Sequence, residues 1–367
     1  MKTYAVGGAV RDELLGLAVQ DRDYVVVGAT PEEMVRRGFR PVGADFPVFL
    51  HPETHEEHAL ARTERKTAPG YKGFTFHASP EVTLEEDLRR RDLTINAMAR
   101  SEEGALVDPY GGEADLRAGV LRHVSDAFAE DPVRILRVAR FAARFAFAVA
   151  PETLTLMRRM VASGEADALV PERVWQELAR GLMEREPSRM LAVLRECAAL
   201  ERVLPEVDAT FERPEVPERL AGRLDRAATR GYALPVRYAL LVLDAEGEAA
   251  EALAARVNAP TDCRTLARLA IRARPLVARA AGLDADTTLG LLESADAFRR
   301  PERLERLIEV AECDALAEGE FPARRALLCA AAAARSVDGG QIARANPGEV
   351  PDAIRRARLV AIADLQK

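Results

Sequence analysis

From Met1 to about Gly112 the hydrophobic residues come in short runs. Tyr24-Val25-Val26-Val27 and Val48-Phe49-Leu50 are rich in β-branched and aromatic side chains and are set off by Gly, Pro and Asp, which predicts strands alternating with short helices. Beyond about Asp126 the pattern changes. Apolar positions recur at three- and four-residue steps in long segments of Ala, Leu, Arg and Glu, broken at Pro151, Pro171, Pro205, Pro235 and Pro260, so the remainder reads as helical throughout. The fold class is therefore α+β: a small mixed domain followed by an all-α region. No repeat of fixed period is present, although Ala330 to Ala334 is locally alanine-rich.

The 367 residues, 48% of them hydrophobic, suffice for two or three domains with buried cores. No apolar run approaches the roughly 20 residues of a membrane span and the amino end has no basic-then-apolar leader, so a soluble, cytoplasmic protein is expected. Cys197, Cys263, Cys313 and Cys329 are scattered through helical pattern, without the close pairs of a zinc or dithiol site, and read as reduced core residues. A formal net charge of −7 excludes a globally basic nucleic-acid coat, but phosphate affinity depends on where the arginines lie. Lysine occurs only at Lys2, Lys66, Lys72 and Lys367, so the positive charge is nearly all arginine.

The amino end places Gly7-Gly8 between a predicted strand and a predicted helix, followed by Arg11. Glycines there allow a tight turn, and equally allow phosphate to approach backbone amides. Asp21 and Asp23 begin the next predicted strand, where side chains two apart share a face. Two carboxylates held together repel unless a cation lies between them; magnesium would satisfy the pair, as would solvation at a strand start. A further strand is predicted over His55–Arg62, with Glu57 at the start of its apolar half. Were the two strands neighbours, three carboxylates would converge, enough for two metal ions. His55 and His58, three apart in that strand, would point to opposite faces and do not suggest zinc.

Thr83-Leu84-Glu85-Glu86 has the form of a capping box. The helix it opens carries Leu84, Leu88, Ile95 and Met98 as a stripe, with Arg91 in its gap; such an arginine either pairs with an acid such as Asp87 or lines a cleft. Asp131-Pro132 reads as an N-cap with proline at the first helical position. The following helix aligns Arg134, Arg137, Arg140 and Arg144 on one stripe, which calls either for solvent and distant acids or for an anionic ligand such as a triphosphate or RNA backbone.

Taken together, YAVGGAVRDELLG with DRD, EEHALARTERK, RRDLTINAM from Arg90, DPYGG from Asp108 and EDPVRILRVARF from Glu130 resemble the bacterial class II CCA-adding enzymes, tRNA nucleotidyltransferases of the polymerase-β-like superfamily. The match covers about the first 145 residues and continues more loosely through VPERVWQEL to about residue 205. The resemblance implies a polymerase-β-like head over 1–125, a helical neck for nucleotide selection and RNA binding over 126–205, and a helical body and tail that bind tRNA over 206–367. It implies catalytic Asp21, Asp23 and Glu57, with Mg2+ on Asp21 and Asp23. Gly8, Arg11, Arg91, Arg137 and Arg140 would hold the nucleotide, and Asp131 and Arg134 would face the Watson–Crick edge of the incoming base. A carboxylate accepts from the exocyclic amino group of C or A, and a guanidinium donates beside it. The implied reaction is template-independent addition of CCA to the tRNA 3′ end from CTP and ATP. Thr63 to Phe76, with Lys66, Pro69, Gly70, Lys72 and Gly73, reads as a mobile basic-aromatic loop of the kind that helps switch nucleotides in this family.

The chain departs from relatives that carry an HD-type phosphohydrolase domain. His51, His55, His58, His77 and His123 all lie in roughly the first third, and Val242-Leu243-Asp244-Ala245 occupies a place where His-Asp is expected. Without histidine ligands the usual metal site cannot be assembled, so no phosphatase or phosphodiesterase activity is expected. The rival readings are a bacterial poly(A) polymerase, for which a basic carboxyl-terminal extension is expected and AIRRARLVAIADLQK is found; a specialised CC- or A-adding enzyme; and an RNA-binding pseudoenzyme.

Overall fold

Alternating apolar positions build the sheet of the amino-terminal unit. Val25 and Val26, adjacent on one strand, face opposite cores: Val25 packs with Val6, Leu84, Leu88 and Ala99, and Val26 with Met34, Phe39, Phe49 and Leu60. A computed structural model describes residues 1–42, 48–66, 74–315, 319 and 321–366. The chain divides into two compact units, one of residues 1–177 and 189–203, the other of 178–188 and 204–367.

In the first unit the elements run β1 (Lys2–Val6), α1 (Gly8–Leu14), β2 (Asp23–Val27), α2 (Pro31–Arg36), β3 (Arg40–Val42), β4 (Val48–Leu50), β5 (Glu57–Leu60), β6 (Arg62–Lys66), β7 (Phe74–Ala78), α3 (Leu84–Arg89), β8 (Ala99–Ser101), β9 (Leu106–Val107) and α4 (Gly112–Ala118). There follow β10 (Val120–Leu121), α5 (Val133–Phe145), β11 (Ala148–Val149), α6 (Pro151–Ala162) and the start of α7 (Pro171–Met183). The main sheet has the order β3-β4-β5-β2-β1-β8-β9. All its pairings are antiparallel except β2 with β5, so the expected mixed sheet is the one observed.

Three local expectations change. The strand expected over His55–Arg62 is shorter: His55 lies in a turn with φ 61°, and β5 starts at Glu57. The helix opened by Thr83 has its complete capping box but ends at Arg89. Leu93 bridges to His123, and hydrogen bonds from Thr94 N to Arg122 O and from Val124 N to Asp92 O draw the chain into extended pairing. Ile95 and Met98 are fully buried as predicted, but not on that helix. The region after Asp126 is not wholly helical either, since β11 pairs with β10 after Ala146, at φ 59°, ends α5.

The rest of the chain is α8 (Ser188–Glu196), α9 (Leu200–Val203), α10 (Pro205–Asp208), α11 (Val216–Thr229), α12 (Leu234–Val242), α13 (Gly247–Arg256), α14 (Thr261–Val277), α15 (Ala285–Ser294), α16 (Pro301–Asp314), α17 (Pro322–Arg335), α18 (Gly339–Ala345) and α19 (Val350–Ala363). Pro151, Pro171 and Pro205 each open a helix, where a missing N–H costs nothing. Cys197, Cys263 and Cys313 are buried, and burial pushes the Cys263 and Cys313 thiols up to about 12; Cys329 is exposed, contrary to the core assignment. Among the described residues no helix is long and apolar enough to cross a membrane.

The second unit is tied by buried charge. Asp244 accepts from Arg219 at 2.8 Å, Arg274 at 3.0 Å and the fully buried Arg223, while Arg274 also grips Asp314 at 2.7 and 2.9 Å. Burial alone would raise the Asp244 carboxyl, but Arg223 and Arg274 outweigh it and hold it below the usual carboxylate range. Removing the acceptor strands a buried arginine, so Asp244→Ala is expected to cost about 3–5 kcal/mol in denaturant unfolding. A lowered carboxyl contributes stability above its unfolded value and loses it as pH falls through the folded one; the gap between the parent and Asp244→Asn should narrow below about pH 4.

Candidate active site

The turn after β1 is dictated by Gly7. Its φ of 68° with ψ −123° is open to glycine, and a Cβ there would lie 2.8 Å from Arg91 Nη1. Gly8 then starts α1 with ordinary backbone angles, and a Cβ on it would meet only Arg11 Nη2, at 3.5 Å. Val6 is opposite Asp23 in the β1–β2 register, and Asp23 is opposite Glu57 in the β2–β5 register. The glycine turn and both carboxylates thus gather at one end of the sheet. The parallel pairing required to bring Glu57 to Asp23 is present.

Asp21 lies in the loop before β2, not on the strand, so strand alternation does not set its direction. Asp21, Asp23 and Glu57 are exposed, and none of their side chains makes a hydrogen bond or ion pair with another described residue. Among the described residues no group of three or more His, Cys, Asp and Glu side chains forms a ready-made metal site. The register pair with Asp21 nearby does fit a cation held jointly by protein and substrate, because magnesium takes one or two protein carboxylates and completes its shell with phosphate and water oxygens.

The arginines behave oppositely. Arg11 is buried; its Nε donates to Asp12 Oδ1 at 2.8 Å, its Nη1 to Asn96 Oδ1, and its guanidinium lies 4.9 Å from the Phe145 ring centre. Arg91 reaches Asp87 and the Asn96 carbonyl, both at 3.4 Å, so the Asp87 pairing considered from sequence is made. Arg90 holds the same Asp87 at 2.8 Å. Burial would raise Asp87, but Arg90 and Arg91 keep it below its ordinary value.

Along α5, Arg137 Nε donates to Asp92 at 2.7 Å, Arg140 Nε to Glu177 at 2.6 Å, and Arg144 Nη2 to Asp12 at 2.9 Å. Of the two accounts of this stripe, distant acids are what its last three members meet. Burial pushes Asp92 up, and Arg137, Asn96 and Arg134 more than reverse that, leaving it well below the carboxylate range. Arg134 donates to the Ala127 and Arg90 carbonyls at 2.9 and 2.7 Å. Asp131 does cap α5, accepting from Val133 N at 3.1 Å, and Arg173 grips it through both oxygens at 3.2 and 2.9 Å.

Asp12, Asp92, Asn96, Arg173 and Glu177 were not singled out from sequence, although RRDLTINAM contains Asp92 and Asn96 and VPERVWQEL contains Arg173 and Glu177. Each pair is four apart, the only signal available, and ordinary on a helix surface. His58 is buried against Tyr24. Of the Thr63–Phe76 loop, the flanks pair as β6 and β7, while Pro69, Gly70, Lys72 and Gly73 lie outside the described residues.

A mixed sheet with a glycine turn and paired carboxylates at one end, followed by an arginine-rich helix, defines a nucleotidyltransferase head. Residues 3–122 match the family described as poly A polymerase head domain, and residues 146–211 the one described as "Probable RNA and SrmB- binding site of polymerase A". The chain is 56% identical to the Multifunctional CCA protein of Azoarcus sp. (strain BH72), across 100% of this chain and 98% of that one. The Multifunctional CCA protein of Burkholderia mallei (strain SAVP1) is 55% identical over 99% and 98%. In fold it is similar to the Bacillus stearothermophilus CCA-adding enzyme solved in complex with CTP (TM-score 0.73, 24% identity, 99% of this chain and 89% of that one). A CCA-adding enzyme solved with ATP gives a TM-score of 0.70 at 22% identity over 98% and 86%. The chain belongs to the family of the multifunctional CCA proteins, which are nucleotidyltransferases.

The glycine geometry separates two substitutions. Gly7→Ala is expected to lose about 1–3 kcal/mol of stability and to displace Arg91, whereas Gly8→Ala should unfold within a few tenths of the parent. Thermal unfolding of the two side by side checks this.

Proposed function

We propose that this protein adds and repairs the 3′-terminal CCA of tRNA without a nucleic-acid template, using CTP and ATP and releasing pyrophosphate. The observation that carries the reading is the unequal treatment of charge. The arginines beside the sheet are met by acids or carbonyls, while the side chains of Asp21, Asp23 and Glu57 meet no counter-charge among the described residues. Kinship with the multifunctional CCA proteins over the whole chain supports the same activity.

In the reaction a bond forms between the tRNA 3′ oxygen and the α-phosphorus, and the bond from that phosphorus to the pyrophosphate oxygen breaks. Asp21 and Asp23, with Glu57 as third carboxylate, would hold Mg2+. Held there, the cation would supply activation of the 3′ hydroxyl and neutralise charge developing on the phosphate. Gly8 and Arg11 cradle the nucleotide, and Arg91, Arg137 and Arg140, each oriented by its acid, add positive charge toward its phosphates and sugar.

Asp131 and Arg134 read the base. The Asp131 carboxylate has roughly four acceptor positions; Oδ1 takes Val133 N and Arg173 Nη1, and Oδ2 takes Arg173 Nη2. One position remains, suited to a single donor such as the exocyclic amino group of C or A. UTP and GTP offer a carbonyl in its place and are refused.

Residues 126–205 act as the neck, and 206–367 as a body and tail that bind the acceptor and T arms of tRNA by shape and phosphate contacts. Commitment of Asp244 to three arginines supports a body without phosphohydrolase chemistry.

The test uses purified protein, Mg2+ and tRNAs lacking CCA, ending in C, or ending in CC, with CTP alone, ATP alone or both. Addition should stop at CCA, require both nucleotides on the shortest substrate and vanish in Asp21→Ala. Long adenosine tails would mean a poly(A) polymerase, growth only to CC or only by a final A a specialised enzyme, and no addition an RNA-binding protein. Asp131→Ala should reduce discrimination of CTP against UTP by about 10-fold or more, read as a ratio of kcat/KM values.

A further inference from the structure

Behind the carboxylate pair, on the opposite face of the same two strands, lies a group of rings that the proposed reaction does not use. Tyr24 and His58 follow Asp23 and Glu57 in the strands and are the next register pair. Their rings stack with centres 4.5 Å apart and planes within 10°. Phe39 meets His58 edge-on at 5.1 Å and His51 edge-on at 5.2 Å. Both histidines also hold the turn that delivers Glu57. His51 Nδ1 accepts from Glu53 N and Thr54 N at 3.3 and 3.2 Å, and His51 N donates to Glu56 O at 3.0 Å. His58 Nδ1 donates to that carbonyl at 3.1 Å, since a carbonyl can only accept.

We propose that the Tyr24–His58 ring stack positions the Asp23–Glu57 pair for divalent-cation binding, with His51 bracing the turn. Tyr24 and His58 are positioning residues, not ligands. The inference rests on the assignment of Asp23 and Glu57 as cation-holding carboxylates. Its physical basis is the strand itself. Successive side chains are fixed to opposite faces, so a stack that sets the separation and rotation of the Tyr24–His58 pair also sets those of the pair one residue earlier. Both carboxylates begin their strands and neither has a side-chain partner among the described residues, so besides the strand ladders it is the stack and the turn that constrain them. A stacked aromatic pair suits this task because offset stacking has a preferred separation and angle, which apolar packing alone lacks.

The probe is Mn2+, titrated against the full chain without nucleotide or tRNA and followed by the electron paramagnetic resonance signal of the free ion, so the readout does not depend on turnover. The parent should bind Mn2+ and Asp23→Ala should not. His58→Ala should weaken binding by about 2- to 10-fold, the value of a lost stack. His58→Phe, which keeps the ring, should restore it, and Met34→Ala, which loosens the same core from α2, should leave Mn2+ affinity at the parent value. Parent-like affinity in His58→Ala overturns the proposal, as does equal weakening in His58→Phe or in Met34→Ala. Binding that survives Asp23→Ala overturns the carboxylate assignment itself, a separate result from failure of the stack.

Discussion

Burying arginine is the constraint around which the first unit is arranged. Arg11 and Arg140 are almost wholly buried and Arg137 and Arg144 partly so, and a guanidinium cannot shed its proton to escape that environment. Each must therefore meet an acid: Asp12 for Arg11 and Arg144, Asp92 for Arg137, Glu177 for Arg140. These pairs draw α1, the segment after α3 and α7 onto α5. Among the described residues the Asp23 and Glu57 carboxylates, at the starts of β2 and β5, stay outside this network.

A separate arginine holds Asp131 in the same manner. Asp131 accepts from the start of α5, and Arg173 holds it through both oxygens, so the carboxylate proposed to read a base is gripped from two directions. A reader of hydrogen bonds gains selectivity from such locking, because a carboxylate free to rotate would accept from several donor arrangements. The second unit uses the same chemistry: Arg223 is entirely buried and tied to Asp244 and Asp314, a charged cluster at the position where relatives with an HD-type domain carry His-Asp.

Local signals were legible in the sequence. The Thr83 capping box, the breaks at Pro151, Pro171 and Pro205, the glycine turn and the Asp131 cap are decided within four or five residues. What depended on distant partners was not. The acids that neutralise Arg137, Arg140 and Arg144 lie 45, 37 and 132 residues away, so periodicity showed the stripe but not what met it. The helix after Thr83 stops early because residues 92–94 pair with 122–124, and the strand before Glu57 is lost to a turn held by His51, neither of which has a periodic signature. The neighbouring strands that unite Asp23 with Glu57 were a condition in the sequence reading and became an observation in the fold.

The contrast between arginines met by acids and carboxylates that meet no described partner is tested most directly by a crystal structure of the chain with Mg2+ and a non-hydrolysable CTP analogue. Mg2+ bound through Asp21 and Asp23 at about 2.1 Å, with Arg137 still on Asp92 and Arg140 still on Glu177, is the predicted result. A cation on Asp92 or Glu177, with those arginines released and Asp21 and Asp23 left in solvent, would contradict it.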